Sequence, residues 1–163
     1  MQLTKATQND IPKIQELAHK SWENAYVGII SDEQIEYMLS TMYSETEISS
    51  QMKNPNYHYL LISDKEDFVG FMGFEHHYEI NTTKLHRIYL IPEAKGKGSG
   101  KSTMEFLKIL TKKSGDLRII LNVNKKNPAK NIYEKQGFKV YDEIILNIGN
   151  GFVMDDFLME YFV

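Results

Sequence analysis

Between Tyr57 and Ile91 the chain carries three runs of aromatic and branched residues, "YHYLLIS", "FVGFMGFEHHYE" and "KLHRIYLI", parted by the turn-rich segments "DKED" and "NTT". Nothing else in the sequence restricts the fold as much. Runs of this composition suit the pleated surface of a sheet, and such short connections join antiparallel neighbours. The spacing predicts a meander of three antiparallel strands. Upstream the period is different. Thr7 to Asp10 resembles a capping box opening a helix, with Ile11, Ile14, Leu17, Ala18 and Trp22 at helical spacing. Ser31 with Gln34, and Ser44 with Glu47, predict two further helix starts.

Downstream, Pro92 and a glycine-rich loop lead into "KSTMEFLKILTKKSG", which places Met104, Leu107 and Leu110–Thr111 on one helix face and Gly115 at its stop. "LRIILNV" predicts a short strand buried on both faces. "NPAKNIYEKQG" predicts a helix with Pro128 near its first turn and Gly137 past its end. "FKVYDEIILNI", the turn "GNG" and "FVMDDFLMEYFV" predict a closing hairpin. Helices, then a meander, then β-α-β-α-β-β imply a mixed α/β (α+β) fold. Its centre is a mostly antiparallel mixed sheet with helices on both faces, in one domain spanning residues 1–163.

Composition narrows the function classes. With 163 residues, 42% of them hydrophobic, the chain suffices for one core and is short for two. It has no cysteine, which excludes disulfides, thiolate catalysis and cysteine-based zinc sites. The net charge of −3 hides a division: residues 1–80 hold 13 Asp/Glu against 5 Lys/Arg, and residues 81–163 hold 9 against 14. Such opposite signs suit a protein that meets an anion with one half and a cation with the other, although uneven scatter of surface charge gives the same count. A nucleic-acid partner would call for a stronger basic excess. No apolar run approaches the length that spans a bilayer, and the N-terminus is polar, so the expectation is a cytoplasmic protein without a membrane partner. His76 and His77 are adjacent on a predicted strand, which sends their side chains to opposite faces. With His19 and His58 scattered, no metal site is expected.

The segment "PEAKGKGSGKS", Pro92 to Ser102, has the look of a phosphate-binding loop. A Walker A loop fails on count, because Lys95 stands where its first glycine belongs. The dinucleotide fingerprint fails as well: Gly96, Gly98 and Gly100 are evenly spaced, and Lys101 occupies the third glycine's place. What remains is strand, proline, small residues and a helix start near Gly98–Gly100. Bare amides at a helix N-terminus bind an anion without any particular side chain, and Lys95, Lys97 and Lys101 add charge around them. A glycine turn with no ligand is the plain alternative.

These residues also carry a resemblance. Lys95-Gly96-Lys97-Gly98-Ser99-Gly100 is similar to the loop pattern [Arg/Gln]-x-x-Gly-x-[Gly/Ala] of the GCN5-related N-acetyltransferase (GNAT) superfamily. Here Lys95 keeps the charge of the usual residue and loses its planar donor. Asn127, Ala129, Tyr133, Gly137 and Phe138 match the family's second signature, Asn-x-x-Ala-x-x-x-Tyr-x-x-x-Gly-Phe, with the Asn-to-Ala interval one residue short. The resemblance implies acetyl-coenzyme A as cosubstrate, its pyrophosphate on the amides of Lys95–Lys101 and its pantetheine beside the backbone of Ile88, Tyr89 and Leu90. An N–H there, that of Leu90, would polarise the thioester carbonyl; donors of this kind are worth about 3 kcal/mol.

The resemblance further implies an amine that attacks the thioester directly. Tyr133 matches the family position that protonates the leaving thiolate, Asn127 the coenzyme-contacting asparagine, and Lys135 is placed to reach a coenzyme phosphate. A core tyrosine and a solvated lysine are the alternatives. In many members a carboxylate on the fourth strand serves as base; here His86 occupies that place, with a reference pKa of about 6.5 suited to neutral pH. Glu75 is a second candidate, and a histidine without duty is the plain reading. Trp22 and Tyr26 end the first helix in the region that walls the family's acceptor site. Seven carboxylates against one lysine between Glu16 and Glu47 favour a cationic acceptor such as a polyamine. A protein or amino-acid amine, or a coenzyme A-binding sensor without catalysis, stays open, as does a homodimer pairing through the C-terminal strand.

Overall fold

The computed structural model describes residues 1–163. Seven strands form one sheet: β1 (Gln2–Lys5), β2 (Tyr57–Asp64), β3 (Asp67–Glu79), β4 (Thr82–Leu90), β5 (Arg118–Asn124), β6 (Lys139–Gly149) and β7 (Phe152–Phe162). Five helices accompany them: α1 (Ile11–Ala25), α2 (Asp32–Met42), α3 (Glu45–Lys53), α4 (Ser99–Ser114) and α5 (Ala129–Lys135). The strand order is β1-β2-β3-β4-β5-β7-β6. Every neighbouring pair is antiparallel except β4 and β5, which run parallel and are joined through α4.

Sequence and structure agree on the meander, the closing hairpin and all five helices. Strand β1 is the element that composition does not announce. Its residues "QLTK" are mostly polar, and they become a strand because β2 offers them an edge, with Gln2 opposite Ser63 and Lys5 opposite Leu60. The predicted N-caps form: the Ser31 hydroxyl accepts from the Gln34 N–H at 3.2 Å and the Ser44 hydroxyl from the Glu47 N–H at 3.1 Å. The reciprocal half is lacking at Ser31, because the Gln34 amide donates instead to the Val153 carbonyl at 2.8 Å. That bond ties α2 to β7.

Alternation along the strands sorts the core onto two faces. On one, the stripe Ile11, Ile14, Leu17, Ala18 and Trp22 of α1 packs with residues of α2 and α3 on Tyr59, Leu61, Phe71 and Met154. On the other, Met104 and Leu107 of α4 pack on Met72, Phe74, Leu85, Leu121 and Met159. No helix of the chain is long and apolar enough to cross a membrane.

Two irregularities interrupt the β4 ladders. In the β3–β4 pairing Gly73 meets Arg87 but Phe74 meets Leu85, so His86 is an extra residue, a β-bulge. At the same level the β4–β5 pairing stops, running only from Thr82↔Arg118 to Leu85↔Leu121. Bulges bend the strand that carries them, and beyond His86 strands β4 and β5 part. The second irregularity lies between Glu75 and Glu79, where His77 takes a φ of 55°. This breaks the alternation assumed for His76 and His77. Both rings turn toward Asp116, with His77 Nδ1 at 2.8 Å and His76 Nδ1 at 3.8 Å, so the two side chains converge.

Candidate active site

A cleft of ≈ 550 Å³ fills the gap between the parted strands. One wall is β4 from Leu85 to Leu90, the other the end of β5 with Leu121, Asn122 and Val123. One end is closed by the β4–α4 loop, the far side by Asn127 and α5, and Asn24, Ala25 and Tyr26 approach from the end of α1.

The wall formed by β4 is an unpaired sheet edge. The Ile91 N–H donates to the Val69 carbonyl at 2.9 Å. In an antiparallel ladder successive residues face their partner strand alternately, so Ile88 and Leu90 turn their N–H and C=O away from β3 and into the cleft. Pairing with β5 has already ended, so these groups have no strand to meet.

The β4–α4 loop continues that edge. Gly96 and Gly98 have φ of 78° and 83°, and a Cβ at either would meet no atom within 4 Å. The glycines are therefore required by backbone conformation, not by space. The first N–H of α4 with a backbone partner is that of Ser102, bonded to the Gly98 carbonyl at 3.0 Å. Those of Ser99, Gly100 and Lys101 are left open at the positive end of a 16-residue helix. Lys95, Gly96, Gly98, Ser99, Gly100 and Lys101 all line the cleft, whereas Lys97 and Lys135 lie outside its lining. Open amides, glycines and lysines together suit a diphosphate.

Across the cleft, α5 presents Tyr133, whose ring sits edge-on to Phe138 at 6.0 Å between centroids. Burial, and next the nearby Tyr26, push its phenol pKa up, so the hydroxyl keeps its proton at neutral pH. Asn127 lines the cleft too, and its side-chain oxygen accepts from the Ala129 N–H at 2.9 Å, capping the start of α5.

The end nearest α1 is aromatic. Tyr26 and Tyr89 line the cleft, with their hydroxyls 3.1 Å apart. Trp22, only 1% exposed, does not line it; the indole packs behind both rings, at 4.5 Å from Tyr26 and 5.6 Å from Tyr89. Arg87 points into the same core, its guanidinium 4.3 Å from the Tyr43 ring and bonded to the Met42 carbonyl at 2.9 Å. His86 and Glu75, separate candidates in the sequence, are one unit: His86 Nε2 lies 3.0 Å from the Glu75 carboxylate, which also accepts from the Asn54 amide at 3.0 Å. His86 lines the cleft and Glu75 stands behind it. Burial pushes the His86 pKa down, and the Glu75 hydrogen bond only partly restores it.

The cleft wall also includes Asn122, which no motif marks. Asn122 and Asn124 are polar residues in the otherwise apolar run "IILNVN", and that interruption is the one signal a reading of the sequence could have used.

Residues 26–154 match the model of the Acetyltransferase (GNAT) domain family. The chain is 31% identical over 160 residues to the spermidine N(1)-acetyltransferase of Thermoplasma acidophilum, covering 95% of this chain and 96% of that protein. Its fold is similar to the crystal structure of PaiA N-acetyltransferase from Thermoplasma acidophilum in complex with coenzyme A, with a TM-score of 0.85 and 29% identity over 99% of this chain and 98% of that one. A GCN5-related N-acetyltransferase from Rhodopseudomonas palustris shares the fold at a TM-score of 0.84 and 18% identity, over 99% and 95% of the two chains. A parted β4–β5 pair, a glycine loop of open amides and a family model covering most of the sequence lead to one assignment: the chain belongs to the GNAT superfamily and is an acetyl-CoA-dependent N-acetyltransferase.

Proposed function

We propose that the enzyme acetylates a small primary amine, a diamine or polyamine in the first instance, by direct attack within a ternary complex. The observation that carries this reading is the pair of open backbone stretches along one cleft, Ile88 with Leu90 on β4 and Gly96 to Lys101 at the start of α4, with Tyr133 on the facing helix. The relative at 31% identity, a spermidine N(1)-acetyltransferase, supports the acceptor class.

In this reading the amides of Gly96–Lys101 hold the coenzyme's diphosphate, with the lysines supplying charge and Asn127 a further contact; the Lys95 N–H, expected among them, is instead bonded to the Pro92 carbonyl at 3.1 Å. The backbone of Ile88, Tyr89 and Leu90 pairs with the pantetheine as an added strand would. The acetyl thioester supplies the electrophile. The Leu90 N–H then polarises its carbonyl, which contributes about 3 kcal/mol. An alkylamine, with a pKa of about 10.4, must lose a proton before it attacks. His86, held by Glu75, takes that proton directly or through water; burial keeps its imidazole neutral, as a base must be. Tyr133 gives its proton to the departing thiolate, and its raised pKa keeps that proton in place until then. The Tyr26–Tyr89 pair walls the acceptor. Lys135, exposed on α5, is left the outer role of meeting a coenzyme phosphate in solvent.

The test is thiol release from acetyl-CoA with spermidine, putrescine and a set of neutral and acidic amino acids. Release that needs a diamine or polyamine and collapses in Tyr133→Phe is the expected result. Turnover of neutral or acidic amino acids alone would remove the polyamine reading. Tight coenzyme binding with no release for any amine would make the protein a sensor.

A further inference from the structure

The His86 imidazole is held from three sides. The bulge sends both His86 and Arg87 to the α1–α3 face, whereas Leu85 before them belongs to the α4 face. There the His86 ring stacks on Tyr57, 4.8 Å between centroids and 21° between planes, and meets Tyr78 edge-on at 5.6 Å. Its Nε2 lies 3.0 Å from Oε2 of Glu75. The other carboxylate oxygen, Oε1, accepts from the Asn54 side-chain amide at 3.0 Å.

Asn54 is fixed in turn. It closes α3, and the proline that follows drives it out of helical backbone to φ −75° and ψ 118°. Its side-chain oxygen accepts from the Asn56 N–H at 3.0 Å. A backbone N–H can only donate, so that atom is the oxygen, and the amide nitrogen is the one turned to Glu75. An ionised carboxylate can only accept, so Glu75 takes an N–H from Asn54 on one oxygen and from His86 on the other. The single proton of a neutral imidazole is thereby placed on Nε2, and the lone pair on Nδ1. Nδ1 has no hydrogen-bond partner in the protein and is not sealed from solvent, so it opens on the cleft that His86 lines.

We propose that Asn54 is a positioning residue of the active site: by anchoring Glu75 it holds His86 in the Nε2–H tautomer and makes Nδ1 the atom that takes the acceptor's proton. The step moves one proton. The ammonium of the acceptor becomes a free amine, and the ring becomes an imidazolium with a proton on each nitrogen, its charge facing Glu75. Among the charged groups that act on the ring, Lys84 and Arg87 oppose that form and Glu75 favours it, so the place of this one carboxylate matters. Without Asn54 an oxygen of Glu75 loses its anchor, and the ring is free to carry its proton on Nδ1, where it has no lone pair to offer the amine. This inference rests on the reading of His86 as base and names the residue that orients it.

The test reads the ring directly. Protein labelled with ¹⁵N-histidine, its His86 signals assigned by their loss in His86→Gln, reports which ring nitrogen carries the proton at neutral pH. Wild type is expected to show Nε2 protonated and Nδ1 bare. Asn54→Ala and Asn54→Asp should each show a mixture of the two tautomers; the aspartate keeps the shape of Asn54 and the oxygen that meets Asn56, and serves if the alanine variant folds poorly. Thiol release with spermidine should lose about tenfold in kcat in both, the lower end for a hydrogen bond to a charged group. Coenzyme A affinity by calorimetry and the KM for spermidine should stay within about threefold. A wild-type ring protonated on Nδ1 overturns the proposal, as do variants that leave either the tautomer or kcat unchanged. If His86→Gln keeps wild-type kcat, or wild type turns over no amine, the base reading falls by itself, while the spectrum still judges the hold of Asn54 on the ring.

Discussion

In the proposed reading, the coenzyme end of the cleft is made of main chain and the acceptor end of side chains. At the first, the working groups are the N–H and C=O of Ile88 and Leu90 and the amides from Gly96 to Lys101, set by a bulge, two left-handed glycines and a helix start. At the second they are the Tyr26 and Tyr89 hydroxyls and the His86–Glu75 pair, drawn from the end of α1 and two strands. A site built from backbone tolerates exchange of most side chains, because what it needs is conformation. A site built from side chains can change its ligand through a single substitution. The difference suits an enzyme family that keeps one cosubstrate while its acceptors vary.

Tyr133 joins the two ends, and removing its hydroxyl should have the largest effect. Tyr133→Phe is expected to lower kcat by about 100- to 10,000-fold, the range for loss of a general acid. Coenzyme affinity, measured by calorimetry, should hold within about twofold, since the ring and its contact with Phe138 survive. A comparable loss in coenzyme affinity would mean that Tyr133 belongs to the binding half of the cleft and not to the chemistry.

This contrast also decides what could be read from sequence. The coenzyme end is local: Lys95 to Lys101 are consecutive, and the need for positive φ leaves its mark as glycine at 96 and 98. The same holds for the helix starts, where Ser31 and Ser44 cap within three residues. The acceptor end is assembled by sheet order. Tyr26 meets Tyr89 only because α1 ends over the cleft, and His86 meets Glu75 only because β3 and β4 pair around a bulge. Neither fact is written in any short segment. Trp22 and His77 teach the same lesson from the other side. Helical spacing marked Trp22 as apolar but not which of its neighbours would meet the cleft, and strand alternation failed at His77 because a bulge intervened.

The backbone half can be tested against its own side chains. Gly98→Val places a branched residue at φ 83°, which costs about 1–2 kcal/mol locally and disturbs the open amides beside it. Coenzyme A affinity should fall about tenfold or more by calorimetry. Lys97→Ala, outside the lining, should change it by less than about threefold, the effect of one solvated charge. If the lysine variant proved the more damaging, charge and not backbone geometry would hold the coenzyme.

On the side-chain half, pH sharpens the picture. Burial lowers the His86 pKa below the ordinary histidine value of 6.5, so the imidazole stays neutral and able to accept a proton to a lower pH than a free histidine would. The acid limb of kcat/KM should accordingly lie below 6.5. The Glu75 hydrogen bond and charge act in the opposite direction, raising that pKa. Glu75→Gln should therefore move the limb lower still, by a shift smaller than the burial effect, while His86→Gln should abolish it. An acid limb that Glu75→Gln leaves in place would remove His86 from the proton path.

The smallest expected effects concern two buried aspartates, Asp116 and Asp156, and here the signs are opposed. For Asp116 burial raises the pKa, but the bonds from Thr83 and His77 outweigh it and the net shift is downward from 3.8. A lowered folded-state pKa means stability present above 3.8 and lost as pH falls through the lowered value. Asp116→Asn should thus cost about 1–3 kcal/mol at neutral pH, by leaving bonded donors without an anion. Asp156, whose Oδ1 has no hydrogen-bond partner, is the opposite case: burial dominates and the pKa is raised from 3.8. Its charge then penalises the folded state at neutral pH, and the penalty fades as pH falls toward 3.8. Asp156→Asn should leave Tm equal to wild type or above it at neutral pH, with the gap narrowing on acidification. Calorimetric scans of both variants at neutral and mildly acid pH check the pair together. An Asp156→Asn variant that melted as early as Asp116→Asn would mean that the fold relies on the Asp156 charge as it does on that of Asp116.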